Sequence, residues 1–317
     1  MRRLLLAALL MTGLFKPALA QNTNNSQISQ VGADHIAAVT QEAISGGSNL
    51  SQVEQIGTHQ NASVEQSAYQ TVNESAIFQS GDGNGAQVHQ LGGSDTVSRS
   101  SIEQSGSGNQ ARVDQGGFDG GGNNSSIIQS GVENEASVSQ VGELGGSRST
   151  IVVTGAQNVT TVEQRAFHGG NLGEITIIGD GNLVDAAQST GRLIHNDSII
   201  DIAGNSNVLT LQQTGEFGDN QSSANIAGSS NHLNIVQKNG GVDFVLNEST
   251  IQLDGDGNII DVGQGTGSAH GVESKPTHSQ IDIEGSSNSV NVQQSGDAAS
   301  DSAVSTKGSG NVVSVTQ

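Results

Sequence analysis

In short runs along most of this chain, every second residue is apolar or small. Residues 73–90 show it most clearly: Asn73-x-Ser75-x-Ile77-x-Gln79 leads into Gly81-x-x-Asn84, and then Ala86-x-Val88-x-Gln90 follows. Alternation with period two predicts a strand with one face buried. Between the two runs, Gly-x-x-Asn supplies residues that tolerate positive φ and local side-chain bonding, as a tight arc needs. The predicted unit is therefore strand–arc–strand.

The unit recurs about every 25 residues, twelve times, with starts near 24, 49, 73, 98, 123, 147, 171, 196, 220, 247, 277 and 300. Its arc glycine is Gly32, Gly57, Gly81, Gly106, Gly131, Gly155, Gly179, Gly204, Gly228, Gly255, Gly285 and Gly308. Its closing glutamine is Gln41, Gln66, Gln90, Gln115, Gln140, Gln164, Gln188, Gln213, Gln237, Gln264, Gln294 and Gln317. The arc asparagine is Asn84, Asn109, Asn134, Asn158, Asn182, Asn207, Asn231, Asn258, Asn288 and Asn311, with His35 and Gln60 in the first two units. Spacing inside the motif is fixed, and all length variation falls in Gly/Ser-rich links, longest before Asn247 and Thr277. Such a period predicts a repeat architecture. The expected fold is all-β: a parallel β-solenoid of two facing parallel sheets, about twelve rungs, over residues 21–317.

Folding each unit at its arc sets Ile77, Ile102 and Ile127 against Val88, Val113 and Val138. It sets Ser75, Ser100 and Ser125 against the closing glutamines. The first glutamine (Gln30, Gln55, Gln79, Gln104, Gln129) faces Ala37, Ala62, Ala86, Ala111 and Ala136. From unit six that glutamine becomes Val153, Ile177, Ile202, Ile226, Leu253, Ile283 and Thr306. Its partner changes in the same units to Thr160, Val184, Leu209, Leu233, Ile260, Val290 and Val313. A coordinated swap is what a shared interior pair requires. Stacked Gln and Asn amides are expected to form structural ladders from rung to rung.

Composition alone would suggest disorder, since 32% of residues are hydrophobic and 2% aromatic, with 44 Gly and no Cys or Trp. The repeat overrides that reading. No disulfide framework is possible. Arg2 and Arg3, the apolar run Leu4–Leu10 and the small-residue site ending at Ala20 predict a signal peptide over 1–20. Its removal takes the formal net charge from −20 to −23, which argues against nucleic acid or membrane insertion. With Asn24 close behind Ala20 and Gln317 closing the last unit, both ends are expected to be uncapped rungs. Heterologous head-to-tail contact between such ends yields filaments.

The motif Asn/Ser-x-Ser-x-Ile-x-Gln-x-Gly-x-x-Asn-x-Ala-x-Val-x-Gln, most regular over 73–140, resembles the repeat of curlin, the subunit of bacterial curli fibres. The resemblance implies secretion through the periplasm, and passage through an outer-membrane pore with its chaperones. It further implies nucleation by a partner subunit and functional amyloid at the cell surface: a fimbrium- or pilus-like fibre for biofilm cohesion and cell adhesion. Familiar curlins carry an aromatic beside the first glutamine, where this chain has Val31, Ile56, Ser80, Ser105 and Ser130. They also carry a pore-addressing segment for which Gln21–Thr23 is too short.

An enzyme needs convergent acids, bases or metal ligands. His35, His59, His89, His168, His195, His232, His270 and His278 share no offset in the motif, so no catalytic site and no cofactor is expected. Gly81-Asp82-Gly83-Asn84, Gly179-Asp180-Gly181-Asn182 and Gly255-Asp256-Gly257-Asn258 faintly resemble calcium-binding β-roll turns, but they are not consecutive, and arc geometry explains them. A monomeric solenoid serving as adhesin or surface spacer is the alternative to a polymer.

Overall fold

The protein is described by a computed structural model over residues 22–191, 195–216, 218–239, 246–266, 276–295 and 299–317. The expected signal segment, and most of the two long links, lie outside the described residues. Twenty-four strands, β1 to β24 in chain order, form two parallel sheets of twelve. Odd-numbered strands make one sheet and even-numbered strands the other, so each unit adds one rung to both. The first rung is β1 (Thr23–Ala33) with β2 (Ile36–Ile44), and the last is β23 (Ser300–Lys307) with β24 (Val312–Thr316). The expected β-solenoid of strand–arc–strand units is what forms.

The motif positions stack in register. Gln30, Gln55, Gln79, Gln104 and Gln129 lie one above another, and Val153 through Thr306 continue the column. Alternation decides which side is buried. In β5 (Val72–Asp82), Asn73, Ser75, Ile77 and Gln79 point inward, while Glu74, Ala76, Phe78 and Ser80 are partly exposed. One unit alone buries too few aliphatic groups to offset the ordering of its backbone, so stability accrues only as rungs stack. The aliphatic columns join into a single core from Val53 to Val304.

Serine sits opposite the closing glutamine because the space is small. Gly173 occupies that position in the seventh unit. A Cβ there would lie 3.1 Å from the Gln164 amide nitrogen and 3.4 Å from the Gln188 amide oxygen. The facing layers are thus staggered, each small residue lying between two glutamines.

The arc explains the unvarying glycine. Gly131 has φ +129°, and a Cβ there would meet the Gly155 carbonyl oxygen at 1.9 Å. Two backbones approach where no side chain fits. A second left-handed residue follows two positions later: Asp34, His59, Glu133, Gln157 and Ser206 each have φ between 53° and 58°. The arc asparagines are not among the positive-φ residues, so their fixed place has another cause, given below. Replacing Gly131 by Ala is expected to cost at least about 2 kcal/mol in urea unfolding. Gly265→Ala, where a Cβ meets nothing within 4 Å, should stay within about 0.5 kcal/mol of wild type.

Candidate functional site: amide ladders and terminal rungs

The closing glutamines form one continuous ladder. Each Nε2 donates to the Oε1 of the next rung, from Gln41 to Gln317, at 2.7–3.2 Å. The other N–H of each amide crosses the core to a backbone carbonyl sixteen residues earlier, as in Gln90 to Glu74 at 3.1 Å and Gln237 to Gln221 at 2.8 Å. The ladder therefore joins rung to rung and sheet to sheet. The first glutamines make a shorter ladder of the same polarity, Gln30 to Gln129, at 2.7–2.9 Å. Their second N–H reaches across as well, from Gln55 to the Ile36 carbonyl and from Gln79 to that of Asn61, next to Ala62.

The arc asparagines form a ladder of opposite polarity. From Asn109 to Asn311, the backbone N–H and Nδ2 of each both donate to the Oδ1 of the rung before, at 2.9–3.1 Å. Nδ2 also donates to the next arc glycine, as in Asn109 to the Gly131 carbonyl at 2.9 Å. Asparagine is fixed here by bonding, not by φ. Gln60 plays the same part: its Oε1 accepts from the Asn84 N–H at 3.2 Å, and its Nε2 donates to the Gly81 carbonyl at 2.7 Å. His35 places Nε2 3.1 Å from the Val31 carbonyl instead.

Two further ladders escaped the sequence reading. The residue that opens the motif bonds axially at four of the five places where asparagines are stacked, Asn171 and Asn196 being the exception. Asn49 donates to Asn24, Asn73 to Asn49, Asn220 to Asn196, and Asn247 to Asn220, at 2.8–3.1 Å. In the arc, the residue after glycine accepts a backbone N–H from the rung before. Asp180 takes that of Ala156 and Asp256 that of Ser229, both at 2.7 Å. Asp82 instead accepts from the Thr58 hydroxyl at 2.5 Å, with His59 Nδ1 at 2.9 Å. The aspartates that resemble a calcium turn thus serve as arc acceptors.

The terminal rungs are more exposed than those between them. Ile28 is 45% exposed, whereas Val53, stacked on it, is fully buried. At the other end Val313 and Val315 are only partly buried, whereas Val290 and Val292 beneath them are buried. Among the described residues nothing packs on the outer side of either rung. The ladder polarity makes these faces chemically different. The N-terminal face presents the carbonyl oxygens of Gln30 and Gln41, which receive no donor from the described residues. The C-terminal face presents Gln317, whose Nε2 donates only to the Asp301 carbonyl, and the unoccupied Oδ1 of Asn311.

Among the described residues, titratable side chains lie on the outside, and no three of them are grouped as metal ligands would be. His59 stands between Asp82 and Asp34, with its Nε2 3.6 Å from Asp34. Arg112 donates to Asp114 at 2.7 Å in a shallow cleft shared with Glu65 and His89. His278 pairs with Glu248, and Lys307 with Glu284. His270 is outside the described residues. No family model matches the chain, and no curated protein matches it.

The hydrogen bond to Asp82, then its charge, raise the His59 pKa above the ordinary histidine value. The interaction therefore steadies the arc below the ordinary value and is lost as pH rises through the raised one. An NMR titration should place the His59 midpoint above that of a model histidine, and Asp82→Asn should lower it. For the interior pair, Gln104→Ile and Ala111→Leu should each cost about 1–3 kcal/mol, and the double variant should recover part of the loss. Additive losses in unfolding would show that the two side chains do not touch.

Proposed function

We propose that this protein is a secreted structural subunit that polymerises head-to-tail into extracellular, curli-like amyloid fibres. The observation that carries the reading is the pair of terminal rungs. Each presents the strand edges, aliphatic positions and closing glutamine that join neighbouring rungs inside the molecule. One face offers amide oxygens where the other offers an amide N–H. Parallel strands stack without a break in direction only when β23 and β24 of one copy lie against β1 and β2 of the next. Such a contact buries Ile28, Val313 and Val315 and extends the closing-glutamine ladder from Gln317 to Gln41. It repeats without closing, so its product is a filament.

The resemblance to curlin, which rests on the motif residues, supplies the setting: periplasmic transit, an outer-membrane pore with chaperones, a nucleating subunit, and a fibre serving biofilm and adhesion. The fibre reading needs no catalytic group and no cofactor.

Purified protein lacking residues 1–20 should polymerise after a lag into β-rich fibres that bind thioflavin, and preformed fibres should shorten the lag. Val315→Asp, at the exposed end of the core, should slow growth at least tenfold while leaving the monomer's circular dichroism unchanged. Protein that stays monomeric for weeks at high concentration with seeds present would sink the proposal.

A further inference from the structure

The first-glutamine ladder spans only five rungs, so both of its ends abut something other than glutamine. At the upper end, Gln129 Nε2 is buried without a hydrogen-bond partner, and so is the Thr160 hydroxyl. By the stagger that takes Gln55 and Gln79 to carbonyls of the rung before, Gln129 lies between Ala111 and Ala136, and Thr160 stacks directly on Ala136. Two orphaned groups of complementary type thus occupy adjacent rungs of one interior layer. At the lower end, the Gln30 Oε1 lacks the donor that each higher rung receives from the glutamine beneath it.

In rungs six to twelve the two columns of this layer are aliphatic with two exceptions. The column above the glutamines reads Val153, Ile177, Ile202, Ile226, Leu253, Ile283 and Thr306. The column above the alanines reads Thr160, Val184, Leu209, Leu233, Ile260, Val290 and Val313. The hydroxyls fall on the sixth and twelfth rungs and nowhere between. Thr306 is 6% exposed, and its hydroxyl has no partner among the described residues.

We infer that Thr160 and Thr306 cap the two ends of the Gln30–Gln129 ladder, the second of them across the junction between two copies. Gln129 donates to the Thr160 hydroxyl through one trapped water. Thr306 of one copy donates to the Gln30 Oε1 of the next, directly or through one trapped water. This rests on the head-to-tail reading and adds its register: rung twelve sits on rung one, in phase, with no rung skipped. In a filament so built, every five-rung glutamine ladder is flanked by a hydroxyl on both sides. A buried amide left unpaired at either end would weaken the stack.

Critical concentration for polymerisation reads the junction, and monomer unfolding reads the internal cap. Thr306→Val should raise the critical concentration about tenfold, with an unchanged monomer unfolding midpoint. Thr306→Ser keeps the hydroxyl and should stay within about twofold of wild type. In a Gln30→Met background, Thr306→Val should add nothing, because the acceptor is gone. Thr160→Val should lower the monomer's folding equilibrium constant about tenfold. Wild-type filaments with Thr306→Val unaltered, or with Ser as harmful as Val, would overturn the junction. A stabilising Thr160→Val would overturn the internal cap. A wild type that never polymerises would instead bring down the head-to-tail reading itself.

Discussion

The axial hydrogen bond from one rung to the next is the interaction on which everything else here depends. Parallel strands repeat at about 4.8 Å, and a side-chain amide can donate upward and accept from below at that spacing. A buried amide is costly unless paired, so a glutamine is tolerated inside only if the rungs above and below supply a partner at the same place. That requirement fixes the spacing within the motif and leaves the links free to vary. It also gives the molecule a direction. Glutamine ladders donate toward the C-terminal rung and arc asparagines toward the N-terminal one, as Gln90 to Gln115 and Asn109 to Asn84 show.

The two halves solve the same packing problem differently. Rungs one to five fill one interior layer with a long amide and an alanine. Most later rungs fill it with two aliphatic side chains, such as Ile202 and Leu209, both essentially buried. The backbone register passes through the change without a break, from Gln129 to Val153 and from Ala136 to Thr160. Only the polar ends of the amide run feel the boundary. On the outside, acidic residues crowd the later rungs of the odd-numbered sheet, including Asp201, Asp254, Asp282 and Asp301. Like charges there oppose sideways association of the sheet face.

Strands, arcs and register were legible because each rests on a strict period that buried faces enforce. Gly131 was legible for the same reason: the Gly155 carbonyl leaves no room for any other residue. The role of the arc asparagine was read only in part. Its constancy suggested a backbone conformation, yet the left-handed residue lies one position earlier, where Glu133 and Gln157 take it without a shared side chain. The ladder through Asn49 and Asn73 was missed because Ser98, Ser147 and Thr277 interrupt the column, and a test for invariance passes over it. The bond from a closing glutamine to a carbonyl across the core leaves no trace in sequence, since every residue offers a carbonyl.

If the filament is a continuation of the monomer's own rung stack, each copy occupies twelve rungs of fibre axis. At about 4.8 Å per rung, that is one chain per ~58 Å. Mass per unit length, measured on single unstained filaments by electron scattering, tests this directly. The account predicts about 5 kDa per nanometre for a filament one solenoid wide, given a chain of 32.2 kDa before any signal is removed, and whole multiples for bundles. A value near one chain per ~4.8 Å, as flat chains stacked in register would give, would contradict it.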